Sequence, residues 1–399
     1  MKGANILVIV TALCLSSAEE TCHVVREYQG SWFTRDNGVY TSIKLDGDKF
    51  GDLKCIDSRD GLNRGFLTTM LIKDVKLGCL HCLDVKPWGE NYLGFIKDEY
   101  CAGNHSSINM CQSKQYTGVY QDLYREIPSE YQGAWYSYEH EVTTTGFRFG
   151  DFDYIEYSNV SNDEGVNTTF LMKFREGYGD SQCRYCVDFL LRNENILQYR
   201  KSDCIPLAFA TLDLCLHDIT YSDAEPPTTL FRKEFTPVNC SSTLNGIYQF
   251  SYEEADWGYG AGPCNSSNST IEACHDYYAE NDRNNEVFMI NYAKCPDVQS
   301  SRKQTIRYLC LGTWSSMVYT TRYTFAAVVD PSEMNIKDGF KCLMTLEDQD
   351  SGVYGIRWVM SQFPRCDRLL SVYNAPVRLV LKEKNDCEER IAITENSFP

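Results

Sequence analysis

Four cysteines recur at matched spacing in this chain: Cys79, Cys82, Cys101 and Cys111, then Cys183, Cys186, Cys204 and Cys215. A repeat of just over 100 residues means that one small module is written twice, and each copy must close its own core. The two Cys-x-x-Cys pairs share an offset of 104 residues with Glu90-Asn91-x-Leu93 and Glu194-Asn195-x-Leu197, and with Phe66-Leu67 and Phe170-Leu171. Upstream, Tyr28-Gln29-Gly30-Ser31-Trp32-Phe33 returns as Tyr131-Gln132-Gly133-Ala134-Trp135-Tyr136.

The first copy carries two further cysteines, Cys22 and Cys55, and the second lacks both. Cysteines lost together are most simply partners, which predicts a Cys22–Cys55 bridge. A ring closed within Cys-x-x-Cys needs unusual geometry. Each of these cysteines is therefore expected to reach one of the two later ones, in an order the sequence leaves open. Eight more follow: Cys240, Cys264, Cys274, Cys295, Cys310, Cys342, Cys366 and Cys387. With Cys14 set aside in the leader, eighteen remain, an even number that suits up to nine disulfides in an oxidising compartment. The Cys-x-x-Cys pairs also look like zinc half-sites, but no second Cys-x-x-Cys or His-x-x-x-His completes either. No metal is expected.

That compartment is implied by the N-terminus. Lys2, the apolar run from Ile6 to Leu15, and Ser16-Ser17-Ala18 read as a secretory signal peptide over residues 1–18, with Glu19 as the mature start. No later segment reaches the roughly 20 apolar residues of a spanning helix. The charged end from Leu381 to Pro399 lacks a GPI-type tail. The expectation is a secreted, extracellular protein with neither membrane span nor GPI anchor. Six N-x-[ST] sequons, at Asn104, Asn159, Asn167, Asn239, Asn265 and Asn268, are read as glycosylated surface loops, the last two within one exposed Asn/Ser run. The net charge of −17 argues against nucleic acid and anionic membrane surfaces as partners.

The expected domains are 19–127 and 128–234 for the two copies and 235–399 for a C-terminal region. Pro128-Ser129 and Pro226-Pro227 are read as linkers. Gly246-Ile247-Tyr248 and Gly312-Thr313-Trp314 both resemble the Gly-x-Trp opening, so the last region is read as two diverged modules, 235–300 and 301–399. Tyr354-Gly355-Ile356-Arg357-Trp358 before Cys366 echoes Ile196-Leu197-Gln198-Tyr199-Arg200 before Cys204.

Val39, Thr41, Ile43 and Leu45 alternate onto one face between Asn37-Gly38 and Asp46-Gly47, the pattern of a strand flanked by hairpin turns. Helical periodicity is weak, and aromatic residues make up 13% of the chain, a composition that suits pleated surfaces. The expected fold class is all-β: tandem small disulfide-stapled modules, barrels or sandwiches, with little helix. Modules of this size bury limited apolar surface and lean on their disulfides.

No catalytic or cofactor-binding residues emerge. The six histidines, His23, His81, His105, His140, His217 and His275, sit in no metalloprotease motif, and Gly-x-Ser-x-Gly and phosphate-binding loops are absent. His81 inside Cys79-Leu80-His81-Cys82 is replaced by Tyr185 in the second copy, so the module does not require it. Asp46, Asp48 and Asp52 lack calcium-loop spacing. Glu253-Glu254-x-Asp256 beside Trp257 reads as an exposed loop. The function expected is extracellular binding or structure, with a protein, a glycan or a small apolar ligand as partner. The rivals are a carrier and a secreted hydrolase.

Gly30-x-Trp32 and Gly133-x-Trp135 resemble the opening of lipocalins, eight-stranded barrels that carry small apolar ligands. About 103 residues between openings is short for eight strands. The wider pattern resembles extracellular proteins of arthropods and other invertebrates with tandem Cys-rich domains of unknown function. It rests on Cys22, Gly30-x-Trp32-Phe33, Cys79-x-x-Cys82, and Asn195-Ile196-Leu197-Gln198-Tyr199-Arg200 before Cys204. Cys240 before Gly246-x-Tyr248-x-Phe250-x-Tyr252, Cys310-Leu311-Gly312-x-Trp314 and Gly339-Phe340-Lys341-Cys342 extend it. The resemblance implies secretion, disulfides and tandem architecture, and no activity.

Overall fold

Short alternating strands joined by tight turns close three antiparallel barrels of eight strands. In this computed structural model the described residues are 22, 28–36, 39–60, 68–89, 91–98, 107–112, 121–162, 165–175, 182–217, 226–240, 246–254, 264–273, 286–294, 304–346, 357–373 and 375–385. The chain divides into two bodies, residues 1–126 and 127–399. The first holds one barrel and the second holds two.

Barrel one runs in sequence order through β1 (Gly30–Asp36), β2 (Val39–Asp46), β3 (Lys49–Phe50), β4 (Leu53–Asp60), β5 (Thr68–Asp74), β6 (Cys79–Gly89), β7 (Tyr92–Lys97) and β8 (Gln121–Arg125), and β8 closes on β1. Barrel two comprises β9 (Gly133–Tyr136), β10 (Glu141–Thr145), β11 (Arg148–Phe149), β12 (Phe152–Asn162), β13 (Gly165–Phe174), β14 (Cys183–Asn193) and β15 (Ile196–Lys201). A short β16 (Ile205–Pro206) pairs outside it with β14, helix α1 (Leu212–His217) follows, and β17 (Thr228–Arg232) closes the barrel against β9. Barrel three comprises β18 (Gly246–Glu254), β19 (Cys264–Ala273), β20 (Val287–Tyr292), β21 (Gln304–Val318), β22 (Thr321–Val329), helix α2 (Ile336–Gly339), β23 (Phe340–Leu346), β24 (Arg357–Met360) and β25 (Val377–Asn385), with β25 on β18.

Several sequence expectations give way to this topology. Eight strands do fit the repeat, because β3 and β11 are two residues long and their turns are tight. The C-terminal region is one barrel rather than two modules: β20 pairs with β21 across residue 300, and neither half closes a core without the other. Pro226-Pro227 is no linker but directly precedes the closing strand β17, where proline favours extended backbone and needs no ladder hydrogen bond. The Asn/Ser run at Asn265 and Asn268 lies within strand β19, not in a loop, at the irregularity where the β18–β19 register shifts between Phe250 and Tyr252. Strand pairing also resets one repeat equivalence. Leu71 faces Cys82 and Leu171 faces Cys186, so Thr68-Thr69-Met70-Leu71 corresponds to Thr168-Thr169-Phe170-Leu171 and Phe66-Leu67 does not match Phe170-Leu171.

All three barrels share their closure. Gly30, Gly133 and Gly246 have φ of +133°, +128° and +135°, a region that side-chain-bearing residues rarely adopt, so glycine opens each first strand. Two residues on, Trp32, Trp135 and Tyr248 lie buried at the barrel end. Their register partners on the last strand are Arg125, Arg232 and Lys384. The Arg125 guanidinium lies 5.0 Å from the Trp32 ring and that of Arg232 lies 4.3 Å from Trp135. The indole nitrogens donate to Tyr28 O at 2.9 Å and Tyr131 O at 3.1 Å. Arg232 also donates to the carbonyls of Gln132 at 3.1 Å, Glu130 at 2.8 Å, and Glu194. Arg232→Lys should therefore destabilise the second body by about 2 kcal/mol, since one ammonium reproduces neither the planar stacking nor the spread of donors. Urea denaturation followed by tryptophan fluorescence reads this, and an unchanged midpoint would show that neither the stack nor the fork of Arg232 stabilises the closure.

The disulfides follow the same plan. Cys82–Cys111, Cys186–Cys215 and Cys342–Cys366 each tie a following segment onto the barrel's outer wall. Each first cysteine donates its N–H to a side-chain oxygen, of Asp98 (2.9 Å), Ser202 (2.9 Å) and Ser361 (2.8 Å). Each of those residues returns its own N–H to the cysteine carbonyl. Barrel three thus shares the plan of the other two, and Cys366 takes the place of Cys215, not of Cys204 as the echo before it suggested. Cys22–Cys55 and Cys240–Cys310 both join the entry of a barrel to its fourth strand, beside a β-bulge. Barrel two has Tyr154 next to the matching bulge, and this buried ring packs on Tyr157 and Phe170 where the others have the bridge. Cys183 pairs with Cys204, and Cys79 is also disulfide-bonded.

The interiors are filled by side chains. Trp32, Leu45, Met70, Ile72, Leu83, Leu93 and Leu123 occupy barrel one, and Tyr248, Phe250, Ile271, Phe288, Ile290 and Val328 occupy barrel three. Burial there pushes the Tyr308 phenol well above its ordinary value. The outer wall of barrel three shares a core with Ile196 and Phe231 of barrel two, and Phe231 stacks on Phe340 at 5.0 Å. Asn193 Nδ2 and Asn195 Nδ2 both donate to Leu311 O, at 2.8 and 3.0 Å. Asn195, fully buried, also donates to Thr236 O (2.8 Å) and accepts from Thr236 N (3.0 Å). These contacts make the second body one packed unit.

Candidate functional site

Between β24 and β25 the chain crosses the outer wall of barrel three. Cys366 pins it to Cys342, and Leu369, Val372 and Ala375 sink into the wall beside Phe325, Val329 and Met344. Lys341 Nζ holds the start of the segment by donating to Asp338 O (2.9 Å) and Gln362 O (2.6 Å). Burial draws this ammonium below its ordinary value. With its small and aliphatic residues turned inward, the segment turns Phe363 and Tyr373 outward, 45% and 53% exposed.

The turn between β9 and β10 of barrel two faces it. Ser137 fastens that turn by donating from N (3.0 Å) and Oγ (2.7 Å) to His140 O. This holds Tyr138 with its ring 5.0 Å from that of Phe363. The result is a groove of about 770 Å³, walled by Leu369, Leu370, Ala375, Pro376, Tyr138 and Phe363 and bearing Arg365, Arg368 and Arg378. A smaller cavity of about 240 Å³ adjoins it, shares Tyr373 and Arg378, and adds Tyr252, Glu253 and Arg357.

Arg365 forms a two-point pair with Asp367, at 3.1 and 2.5 Å, and lies 5.2 Å over Tyr138. The hydrogen bond to Asp367 holds its guanidinium above the ordinary value. Arg378 pairs with Glu253 at 2.5 Å and donates to Tyr373 O at 2.8 Å. Arg357 lies 4.8 Å over the Tyr373 ring. Arg368 is exposed and makes no ion pair among the described residues. Four guanidinium groups thus meet two ion-paired carboxylates in a chain whose overall charge is strongly negative.

Of the acidic, histidine and sequon residues singled out in the sequence, Glu253 comes nearest among the described residues, lining the smaller cavity beside the groove and pairing with Arg378. His81 is buried, its Nδ1 3.4 Å from the Asp98 carboxylate and its Nε2 3.5 Å from Cys79 Sγ. Asp52 pairs with Lys76 at 2.8 Å and Asp46 with Lys44 at 3.4 Å. His217 lies 3.6 Å from Asp213, on the surface. Asn159 is exposed on β12, and its Oδ1 accepts from Thr168 Oγ1 at 2.8 Å. Asn167 lies on β13 and Asn239 is exposed just before Cys240. Asn104, Cys101, Cys274, Cys295, Cys387, His23, His105, His275 and Asp256 lie outside the described residues. The groove itself went unread in the sequence. Its one local signal is Arg365-Cys366-Asp367-Arg368, two arginines beside a cysteine in an acidic chain.

The geometry defines a disulfide-stapled protein of tandem eight-stranded barrels. Residues 20–116 and 125–219 each match a family described as a domain of unknown function (DUF7044), and residues 237–383 match a second domain of unknown function (DUF7042). The second match spans barrel three as one unit. No curated protein and no solved structure matches the chain. Among the described residues no helix is long and apolar enough to cross a membrane.

Proposed function

We propose that this chain is a secreted, N-glycosylated extracellular binding protein, akin to the tandem Cys-rich proteins of invertebrates, that takes its ligand at the groove on barrel three. The observation that carries the reading is the groove itself: exposed aromatic rings and arginines set on a wall pinned by Cys342–Cys366. Exposed Tyr, Phe and Arg over a buried apolar base are the residues that supply binding energy at recognition surfaces. Filled barrels favour a ligand outside the barrel over one carried within it. The disulfide framework and the N-terminal leader favour export, and the sequons favour a glycosylated surface.

Expression of the full chain in a secretory host tests export. The expected product is a species in the medium that begins at Glu19 and loses mass on treatment with peptide-N-glycosidase. Retention in the cell would overturn that part of the reading. Nile red, an uncharged probe of apolar sites, tests the groove. Its fluorescence should rise with the wild-type protein, fall several-fold for Phe363→Asp, and remain for Leu77→Asp, an exposed apolar site on barrel one. Equal fluorescence in all three would place the binding face elsewhere.

A further inference from the structure

We propose that the groove selects a small anionic amphiphile, a molecule with a carboxylate or phosphate head on an aliphatic body; this rests on the groove's being the binding face. Three observations converge. A volume of about 770 Å³ falls within the usual range of small-molecule sites, roughly 300–1,000 Å³. Its walls are aliphatic and aromatic, from Leu369, Leu370, Ala375, Pro376 and Phe363, and offer an apolar tail burial without hydrogen-bonding partners. Its charge is the reverse of the chain's. Asp367 pairs with Arg365, on which Glu139 of the facing turn also acts, Glu253 pairs with Arg378, and Arg357 and the exposed Arg368, which has no ion pair among the described residues, leave the cluster net positive.

An extended peptide is disfavoured, because peptides commonly dock by adding a strand to a free sheet edge and the strands here are closed into barrels. A cationic amphiphile would bring like charge to Arg368. An uncharged one would leave the positive surplus unanswered. The tail is therefore assigned to the aliphatic wall, and the head to Arg368 with Arg365 beside it.

Isothermal titration of the full secreted chain tests this with four ten-carbon probes below their micelle concentrations: decanoate, decyl phosphate, decan-1-ol and decyltrimethylammonium. One anion should bind per chain, with decan-1-ol at least tenfold weaker and the cation giving no heat. Which of decanoate and decyl phosphate binds more tightly distinguishes a carboxylate head from a phosphate head. Arg368→Gln should weaken the anions about tenfold, the scale of one charge-assisted hydrogen bond, and leave decan-1-ol unchanged. Equal affinity for anion and alcohol, or unchanged anion affinity in Arg368→Gln, would overturn the proposal. So would tighter binding of a hexaglutamate peptide than of decanoate. If Nile red still depends on Phe363 while the probes show no preference for charge, the groove stands as the binding face and only the ligand class fails.

Discussion

Replacing Cys240 and Cys310 together by alanine is expected to lower the stability of the second body by about 4 kcal/mol, the chain-entropy value for a loop of this length. The two cysteines lie 70 residues apart, the largest separation among the bridges described. The bridge joins the approach to β18 to strand β21, inside the barrel core. Without it the unfolded chain regains the freedom of that loop. The folded barrel keeps Val238 N donating to Cys310 O at 2.9 Å and the long β18–β25 ladder. Whole-domain stabilities are only about 5–15 kcal/mol, so the loss is a large share of the total. Urea denaturation read by tryptophan fluorescence should show the midpoint falling with the slope nearly unchanged. The matching Cys22/Cys55 double replacement, at a separation of 33, should cost somewhat less. A loss of under about 1 kcal/mol at Cys240 and Cys310 would mean that the barrel already restricts its denatured chain, against the entropic account.

Gly312→Ala is expected to cost about 2–3 kcal/mol. Gly312 follows the bulge on β21 with φ +153°, a backbone that alanine adopts only with strain of about 1–2 kcal/mol. A Cβ there would also overlap Asn193 Nδ2 and press on Ile196 Cδ1 at 3.0 Å. Asn193 would have to turn away, giving up its hydrogen bond to Leu311 O at the seam between barrels two and three, worth about 1 kcal/mol. A double-mutant cycle separates the two causes. Asn193→Ala alone should cost about 1 kcal/mol. In the double variant Gly312→Ala should cost only the backbone strain, because the side chain it displaced is gone. Strict additivity would show that the overlap at Asn193 plays no part.

The three barrels were legible in the sequence to the extent that their determinants are local. Gly30-x-Trp32 and Gly133-x-Trp135 mark first strands because one positive φ and one buried indole are needed at each opening. Gly312-x-Trp314 has the same letters and a positive φ too, but its glycine follows a bulge within a strand and also answers to Asn193, 119 positions earlier in the chain. Nothing near Gly312 distinguishes the two. The third barrel hid for a related reason. Its opening has Tyr248 for tryptophan, and Lys384 is the register partner where the other barrels have arginine, so the match appears only once the last strand lies on the first. The groove was least legible of all. Tyr138 and Arg378 are 240 positions apart, and only the packing of barrel two on barrel three brings them to one cavity.

What the sequence determined by itself was the material of the fold: all-β modules, their repeat, and a cysteine framework with Cys22 and Cys55 lost together. These follow from nearest-neighbour chemistry, since alternation, turn residues and paired losses can be read one segment at a time. Tertiary structure decided how many barrels there are, where each closes, and which surface gathers arginine and aromatic rings. Closure is a contact between the first and last strands of about a hundred residues, and the groove is a contact between two barrels. Both depend on long-range register, which a sequence encodes only through the sum of its packing.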